Sequence, residues 1–366
     1  MRLALCGKGF FELFFVLRFV QGGVGKGGFV LLQRRFQFGD GFFLCFYRLF
    51  QRAQALPLFG FAPFLFLAAV AAVGGGCGAV VHRLAAGIEV AVVVFEVAVK
   101  GLEFAVGDKV YGYTGVVGMG TWAETVAVDV DALAHAPRNV SLTHAAALPV
   151  VALTAWQALL SIGHLQAGQT VLVHGGAGGV GSAVIQLAKH LGATVATTAS
   201  AASADDVRAL GADIIIDYRN EDFVERLANT PVDIVVDTQG GDITSRSLQV
   251  LRRGGVVVGI AGSPEPTLAD QAGAGPVVKL ALSVLSFRLR RQARKLGVRY
   301  RFLFIKPDGA ALRTVAELVD EGILKPVIDR VLPFNDTLTA LNQLLSGKTR
   351  GKVLVTTNPE EVTADV

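Results

Sequence analysis

Apolar and polar positions are arranged in two different ways along this chain of 366 residues. Over roughly the first hundred, apolar residues come in blocks such as FFELFFVLRF and GFFLCFYRLF. These fit neither the period of two of a half-buried strand nor the stripe of an amphipathic helix. No charge occurs from Ala55 to Val81, a stretch long enough to cross a bilayer. Pro57 and Pro63 break its first half and Gly74–Gly76 its end, so no membrane span is expected there. Glu12 and Arg18 interrupt the first apolar run, which argues against a cleaved signal peptide.

Near Leu102 the pattern becomes regular. FAVGDKVYGYTG predicts a strand entered through a Gly-Asp turn, and GTWAETVAVDVDALAHAP predicts alternating strands. SLTHAAALPVVALTAWQALLSIG predicts a helix broken near Pro149. From Gln169 onward, strand, glycine loop, helix, strand and helix alternate, the mark of a parallel, doubly wound α/β sheet. The sharpest signal is TVLVHGGAGGVGSAVIQLAKHLGATVATTAS. It supplies a buried strand, a glycine turn with Gly176, Gly178 and Gly181 in G-x-G-x-x-G register, an amphipathic helix and a second strand. One glycine makes the tight turn, Gly178 lets the backbone approach a pyrophosphate, and Gly181 lets helix and strand pack closely. The helix N-terminus then offers free N–H groups and partial positive charge to the anion.

The end of the second strand selects the cofactor. A site for NAD usually carries Asp or Glu there, about twenty residues past the loop, to bind the ribose hydroxyls. Here the place is taken by Thr198, Ala199 and Ser200. Ser200 and Ser203 are candidate donors to a 2′-phosphate, and Arg208 a source of charge. SADD, from Ser203 to Asp206, also fits a capping box with Ser203 as N-cap. Asp205 and Asp206 weigh mildly against NADP.

Length allows two domains with sizeable cores. Residues 1–104 hold 10 Lys/Arg and 5 Asp/Glu, whereas the remainder holds 24 and 25, so the positive balance belongs to the N-terminal third. No general basic surface for nucleic acid is expected. The one dense basic run, SFRLRRQARKLGVRYR from Ser286 to Arg301, reads as a solvated helix face, with a nucleic-acid patch beside Tyr300 and Phe302 as the alternative. Cys6, Cys45 and Cys77 are too few and too scattered for a disulfide framework or a zinc site, and a reducing, cytoplasmic setting is expected. GVGKGG at Gly23–Gly28 is no Walker loop, lacking the Ser/Thr after Lys26.

Together, VGDKVYG, AALPVVALTAWQALL, the glycine unit, VRALGADIIIDYRNEDF, DIVVDTQGG, GGVVVGIAG, RFLFIKPDG and GKTRGKVLV resemble the medium-chain dehydrogenase/reductase superfamily in its zinc-free, quinone-oxidoreductase-like branch. The match runs over about residues 107–355. The resemblance implies a GroES-like, β-rich catalytic domain from residues 1–135 and 306–366, around a Rossmann domain over 136–305. It implies NADP(H) as cofactor and a quinone, enone or other activated carbonyl as substrate, and it leaves a homodimer open. Carried over by position, Thr154 lies near the nicotinamide. Gly178, Gly179 and Val180 hold the pyrophosphate, Ser200, Ser203 and Tyr218 surround the 2′-phosphate, and Ala261 and Phe304 line the nicotinamide pocket. Read without the resemblance, Thr154 is a helix residue bonded to its own backbone, Tyr218 a strand-end aromatic and Phe304 a core residue.

The match stops where the family would carry an AGVNPVD-like stretch framing the substrate pocket, for nothing in residues 1–100 corresponds to it. Two accounts stand: text that does not encode the usual segment, through a frameshift, a wrong start or a noncoding-strand reading, or a real divergent segment. The zinc branch's GHE motif is absent too, His82 being followed by Arg83. The expectation is a zinc-independent NADPH-dependent oxidoreductase. A dinucleotide-binding protein without a complete substrate pocket is the alternative. No catalytic residue is assigned; Tyr113, the nearest tyrosine, reads as structural.

Overall fold

The computed structural model describes residues 103–115 and 125–356 apart from 272, 346 and 348, together with 360, 362 and the backbone of five earlier strands. The expectations for Gly23–Gly28, for residues 55–78, and for Cys45 and Cys77 lie outside the described residues. Two units divide the chain, Met1–Phe66 and Leu67–Val366.

In the first unit, β1 (Leu5–Cys6), β2 (Phe10–Arg18) and β3 (Phe29–Gln37) form an antiparallel sheet in that order, with Phe10 opposite Gln37 and Arg18 opposite Phe29. The block FFELFFVLRF, which showed no period, thus lies in β2 up to Arg18, whereas GFFLCFYRLF lies outside the described residues. Phe and Val content favours extended backbone in β2 even where alternation is missing.

The second unit opens with β4 (Ala79–His82), β5 (Glu89–Glu96), β6 (Lys109–Tyr113), β7 (Thr125–Val128) and β8 (Leu133–His135), an antiparallel sheet in the order β7-β4-β5-β6-β8. Ala79 to Val81, the end of the charge-free stretch, therefore lie in a strand. The Gly-Asp turn is as expected. Gly107 has φ +98, and the Asp108 carboxylate accepts from the Ala105 N–H at 2.8 Å. Two helices follow, α1 (Leu142–Ala145), capped by the Ser141 hydroxyl, and α2 (Pro149–Trp156), which starts on its proline and runs on as a π turn through Ile162. Among the described residues, Leu142–Ile162 is the one stretch long and apolar enough to cross a membrane, and most of it is buried. Leu148, Leu153 and Leu159 lie in the main core with Val171 and Val173.

Six parallel strands follow: β9 (Thr170–His174), β10 (Thr194–Ala199), β11 (Ile214–Asp217), β12 (Val232–Asp237), β13 (Leu251–Gly259) and β14 (Arg299–Phe302). Their order, β11-β10-β9-β12-β13-β14, is the doubly wound arrangement of a Rossmann sheet. Val171–Val173, Ile234–Val236 and Val256–Val258 are buried as near-continuous apolar runs, as strands covered on both faces must be. The connections hold α3 (Gly179–His190), α4 (Ala204–Ala209), α5 (Phe223–Arg226), α6 (Gly241–Ser247), α7 (Thr267–Gln271), α8 (Pro276–Leu285) and α9 (Phe287–Leu296). The chain ends with α10 (Gly309–Asp320), β15 (Ile328–Pro333), α11 (Thr337–Leu345) and β16 (Lys352–Thr356). α10 returns to the antiparallel sheet, where Leu312 O accepts from the Tyr111 hydroxyl at 2.5 Å. β15 and β16 pair in parallel, and Gly351 bridges to Gly178.

Candidate cofactor site

The strand order reverses between β9 and β12, and crevices of open α/β sheets form at such a switch point. A cavity of about 940 Å³ lies there, walled by the glycine turn, the ends of β10 and β12, residues 218–223, and Gly347, Thr349 and Arg350.

The glycines divide the work. Gly175, which sequence reading passed over, makes the left-handed turn out of β9 at φ +71. A side chain on Gly176 would overlap the Thr197 hydroxyl of β10, so this glycine serves packing and does not line the cavity. A Cβ on Gly178 would meet only the Gly175 carbonyl, at 3.4 Å, and Gly178 has extended backbone as N-cap of α3. One on Gly181 would overlap the backbone of Gly175 and Gly176. Gly178 is therefore the open position and Gly181 the packing position. No side chain caps α3 and no acid stands in its first turn. Helix geometry leaves the N–H groups of Gly179, Val180 and Gly181 without intrahelical acceptors, so this end of the cavity suits an anion.

At the end of β10, the Ser200 and Ser203 hydroxyls lie 3.2 Å apart. Ser203 stands at the N-cap of α4 but makes no side-chain cap bond. The capping-box expectation is thereby corrected: a one-turn 3₁₀ segment, Ala201–Ser203, turns the hydroxyl toward Ser200 instead. Arg208 lies outside the cavity lining and pairs with Asp205 at 2.5 Å. The cavity's cations are others. Arg350 reaches in from beside β16 and binds Asp206 at 2.9 Å, and Arg219 stands 5.7 Å over the Tyr218 ring. Tyr218 itself is 59% exposed.

The opposite wall is rigid and polar underneath. Asp237, buried at the end of β12, accepts from the N–H groups of Gln239 (2.9 Å) and Gly240 (3.1 Å) and from the Thr244 hydroxyl (2.5 Å). The Ser247 hydroxyl donates to Ile243 O, so it accepts from His174 Nε2 at 2.9 Å. The Thr198 hydroxyl accepts from the Gly175 N–H and lies 3.2 Å from His174 Nδ1. A neutral imidazole protonated at Nε2 fits these partners, with Thr198 then donating to Nδ1. Burial pulls the pKa of His174 down to about 4; Asp237 opposes the fall and Arg246 adds to it. Phe223 meets the imidazole edge-on at 4.7 Å and carries the Arg246 guanidinium 4.9 Å over its ring. Asp222 pairs with that guanidinium, and its carboxyl is held below the usual range, chiefly by the Val224 N–H.

Gly178, Gly179, Val180, Gly181, Ser200, Ser203 and Tyr218 thus line one cavity. Gly176, Thr154, Ala261 and Phe304 are not in its lining. Thr154 is buried in α2 and donates to Val150 O at 2.6 Å. Ala261 follows β13 and Phe304 follows β14, both half-buried. Tyr113 is buried in β6. Among the described residues, no group of three or more His, Cys, Asp or Glu is placed to hold a metal ion. The turn, its uncapped helix and the crevice fit a dinucleotide: the pyrophosphate needs the room that a Cβ on Gly178 would fill.

A family model described as zinc-binding dehydrogenase matches residues 210–355. The mitochondrial NAD(P)H oxidoreductase RTN4IP1 of Homo sapiens is 33% identical over 279 residues, covering 74% of this chain and 70% of that protein. The 2-methylene-furan-3-one reductase of Solanum lycopersicum is 35% identical over 281 residues, 74% of this chain and 62% of its own length. Among solved structures, the quinone oxidoreductase of Coxiella burnetii aligns with a TM-score of 0.63 at 32% identity, covering 74% of this chain and 78% of that one. With the Rossmann strand order and the phosphate-ready turn, these likenesses make the chain an oxidoreductase that uses a nicotinamide dinucleotide, and it belongs to the medium-chain dehydrogenase/reductase superfamily.

Proposed function

We propose that this chain is a zinc-independent, NADPH-dependent reductase of quinones, enones or other activated carbonyls. The observation that carries the cofactor preference is the lobe at the end of β10. It holds two hydroxyls 3.2 Å apart and Arg350, and no carboxylate stands on the strand end itself. Asp206 is tied to Arg350, so the acidic pair of α4 presents less charge than its sequence suggests. The N–H groups at the start of α3 would hold the pyrophosphate, with Ser200, Ser203, Tyr218 and Arg350 around the 2′-phosphate. Thr154, Ala261 and Phe304 are assigned to the nicotinamide end, beyond the cavity described. When bound, the reduced nicotinamide supplies a hydride. Zinc independence rests on the sequence, which lacks the zinc branch's GHE motif and four-cysteine lobe. Without a Lewis acid to polarise it, the acceptor must bring its own electron deficiency, as a quinone or enone does.

The test is a fluorescence titration with NADPH and NADH, beside consumption of NADPH against quinones, enones, aldehydes and simple ketones. At least tenfold tighter binding of NADPH is expected, about 1.4 kcal/mol. Ser200→Asp should reverse the preference by placing a carboxylate against the phosphate, and Arg350→Gln should weaken NADPH more than NADH. Equal affinities in the native chain refute the assignment. Best activity on unactivated carbonyls refutes the substrate class. NADPH binding without turnover of any acceptor favours the dinucleotide-binding alternative.

A further inference from the structure

The connection between β13 and β14 is unlike the rest of the second unit. From Gly275 to Val298 it holds six Lys/Arg and no Asp/Glu, although residues 105–366 as a whole hold 24 and 25. The charge is therefore concentrated at this one place. α8 buries none of its residues. Val277, Leu280 and Val284, spaced to share one helix face, are 79%, 66% and 69% exposed. Leu285 and Phe287 continue the exposed apolar surface around the corner at Ser286, which is itself buried. Directly after that corner, α9 exposes Arg288, Arg291, Arg294 and Lys295, none of them paired with a carboxylate among the described residues. Arg290 turns inward instead, to Ser283 O and the Ser286 hydroxyl. Each helix has ten residues, so the whole surface lies within about 15 Å of the corner.

We infer that this helical corner docks on an anionic lipid surface. Water alone leaves the Val/Leu stripe uncompensated. A nucleic acid would use the arginines but has nothing for an aliphatic stripe. A second copy meeting this patch about a two-fold axis would bring the same uncompensated cations toward one another. A bilayer surface rich in anionic headgroups accepts both parts, taking the apolar face at the acyl boundary and the cations at the phosphates. The occupant follows from this charge complementarity, and the surface is separate from the cofactor cavity.

The test uses the full chain in flotation with vesicles of phosphatidylcholine alone and of phosphatidylcholine with 30% phosphatidylserine, at low and high salt. At least tenfold stronger partition to the anionic vesicles is expected, lost at high salt. L280Q/V284Q and R288Q/R291Q should each reduce it at least tenfold. Both pairs are solvent-exposed, so the circular dichroism melt and NADPH affinity should stay unchanged. Equal partition to both vesicle types overturns the inference, as does partition that neither variant reduces. Sedimentation equilibrium showing a dimer that L280Q/V284Q dissociates would give the surface to a second copy. Retention on duplex DNA lost only in R288Q/R291Q would give it to nucleic acid.

Discussion

The glycine turn makes the most discriminating test of the cofactor site, because its glycines face opposite sides. Gly178 has φ −80 and ψ 170, a conformation any residue adopts, and an added Cβ would meet only the Gly175 carbonyl at 3.4 Å. Valine there costs folding no more than about 1 kcal/mol, for the loss of a better N-cap residue. At a domain of this size that lowers the melting temperature by about 2–4 °C. The same side chain fills the space that a pyrophosphate must enter. Losing one or two hydrogen bonds to a charged group removes about 3 kcal/mol of binding, a loss of affinity beyond a hundredfold. Gly181→Val behaves oppositely. Its Cβ would overlap the backbone of Gly175 and Gly176, which cannot swing aside, at a cost of about 3 kcal/mol or more. Melting followed by circular dichroism, with NADPH titration by intrinsic fluorescence, reads both effects. Normal NADPH affinity in Gly178→Val would make the motif a structural turn only. Equal destabilisation by both variants would refute the division of roles.

His174 should make the fold acid-sensitive in a defined window. Its folded pKa is about 4 against an ordinary 6.5, so the unfolded chain binds the proton more readily. The stabilisation is fully present above pH 6.5 and is lost as pH falls toward 4, about 3 kcal/mol in all. Urea unfolding between pH 7.5 and 4.5 should show that slope in the native chain and a shallower one in His174→Gln; identical slopes would refute it. Dialysis against a chelator should leave any reductase activity intact, and a loss restored specifically by zinc would overturn the zinc-free reading.

Two buried polar clusters underlie the wall of the cavity opposite the Ser200–Ser203 lobe. Asp237 satisfies Thr244 and the turn after β12, and His174 is held between Thr198 and Ser247, which fixes this side of the switch-point crevice before any ligand arrives. A preformed crevice spends less binding free energy on ordering the protein. The Arg350–Asp206 pair and the Gly351–Gly178 bridge join the C-terminal strand to the same crevice.

What the sequence determined by itself was local. Strand, glycine turn, helix and second strand lie within about thirty residues, so their periodicities and the G-x-G-x-x-G spacing were legible without tertiary knowledge. The break at Pro149 and the Gly107–Asp108 turn were legible for the same reason. The tertiary structure decided whatever depends on distant neighbours. Gly176 stood first in the G-x-G-x-x-G register, where the tight turn was expected, but Thr197 of the next strand occupies the space beside it, and the left-handed turn fell to Gly175. Ser203 had the spacing of a cap, yet the 3₁₀ turn before it redirected its hydroxyl to Ser200. Arg350 lay in the family-like stretch GKTRGKVLV, but nothing local tied it to the glycine turn. It is brought to the crevice, 144 residues from its partner Asp206, by the pairing of β15 with β16 and the bridge at Gly351, whereas Arg208 lies outside the lining. A motif reports the backbone it builds, whereas the charge that surrounds a ligand is set by which remote segments the sheet's edges bring together.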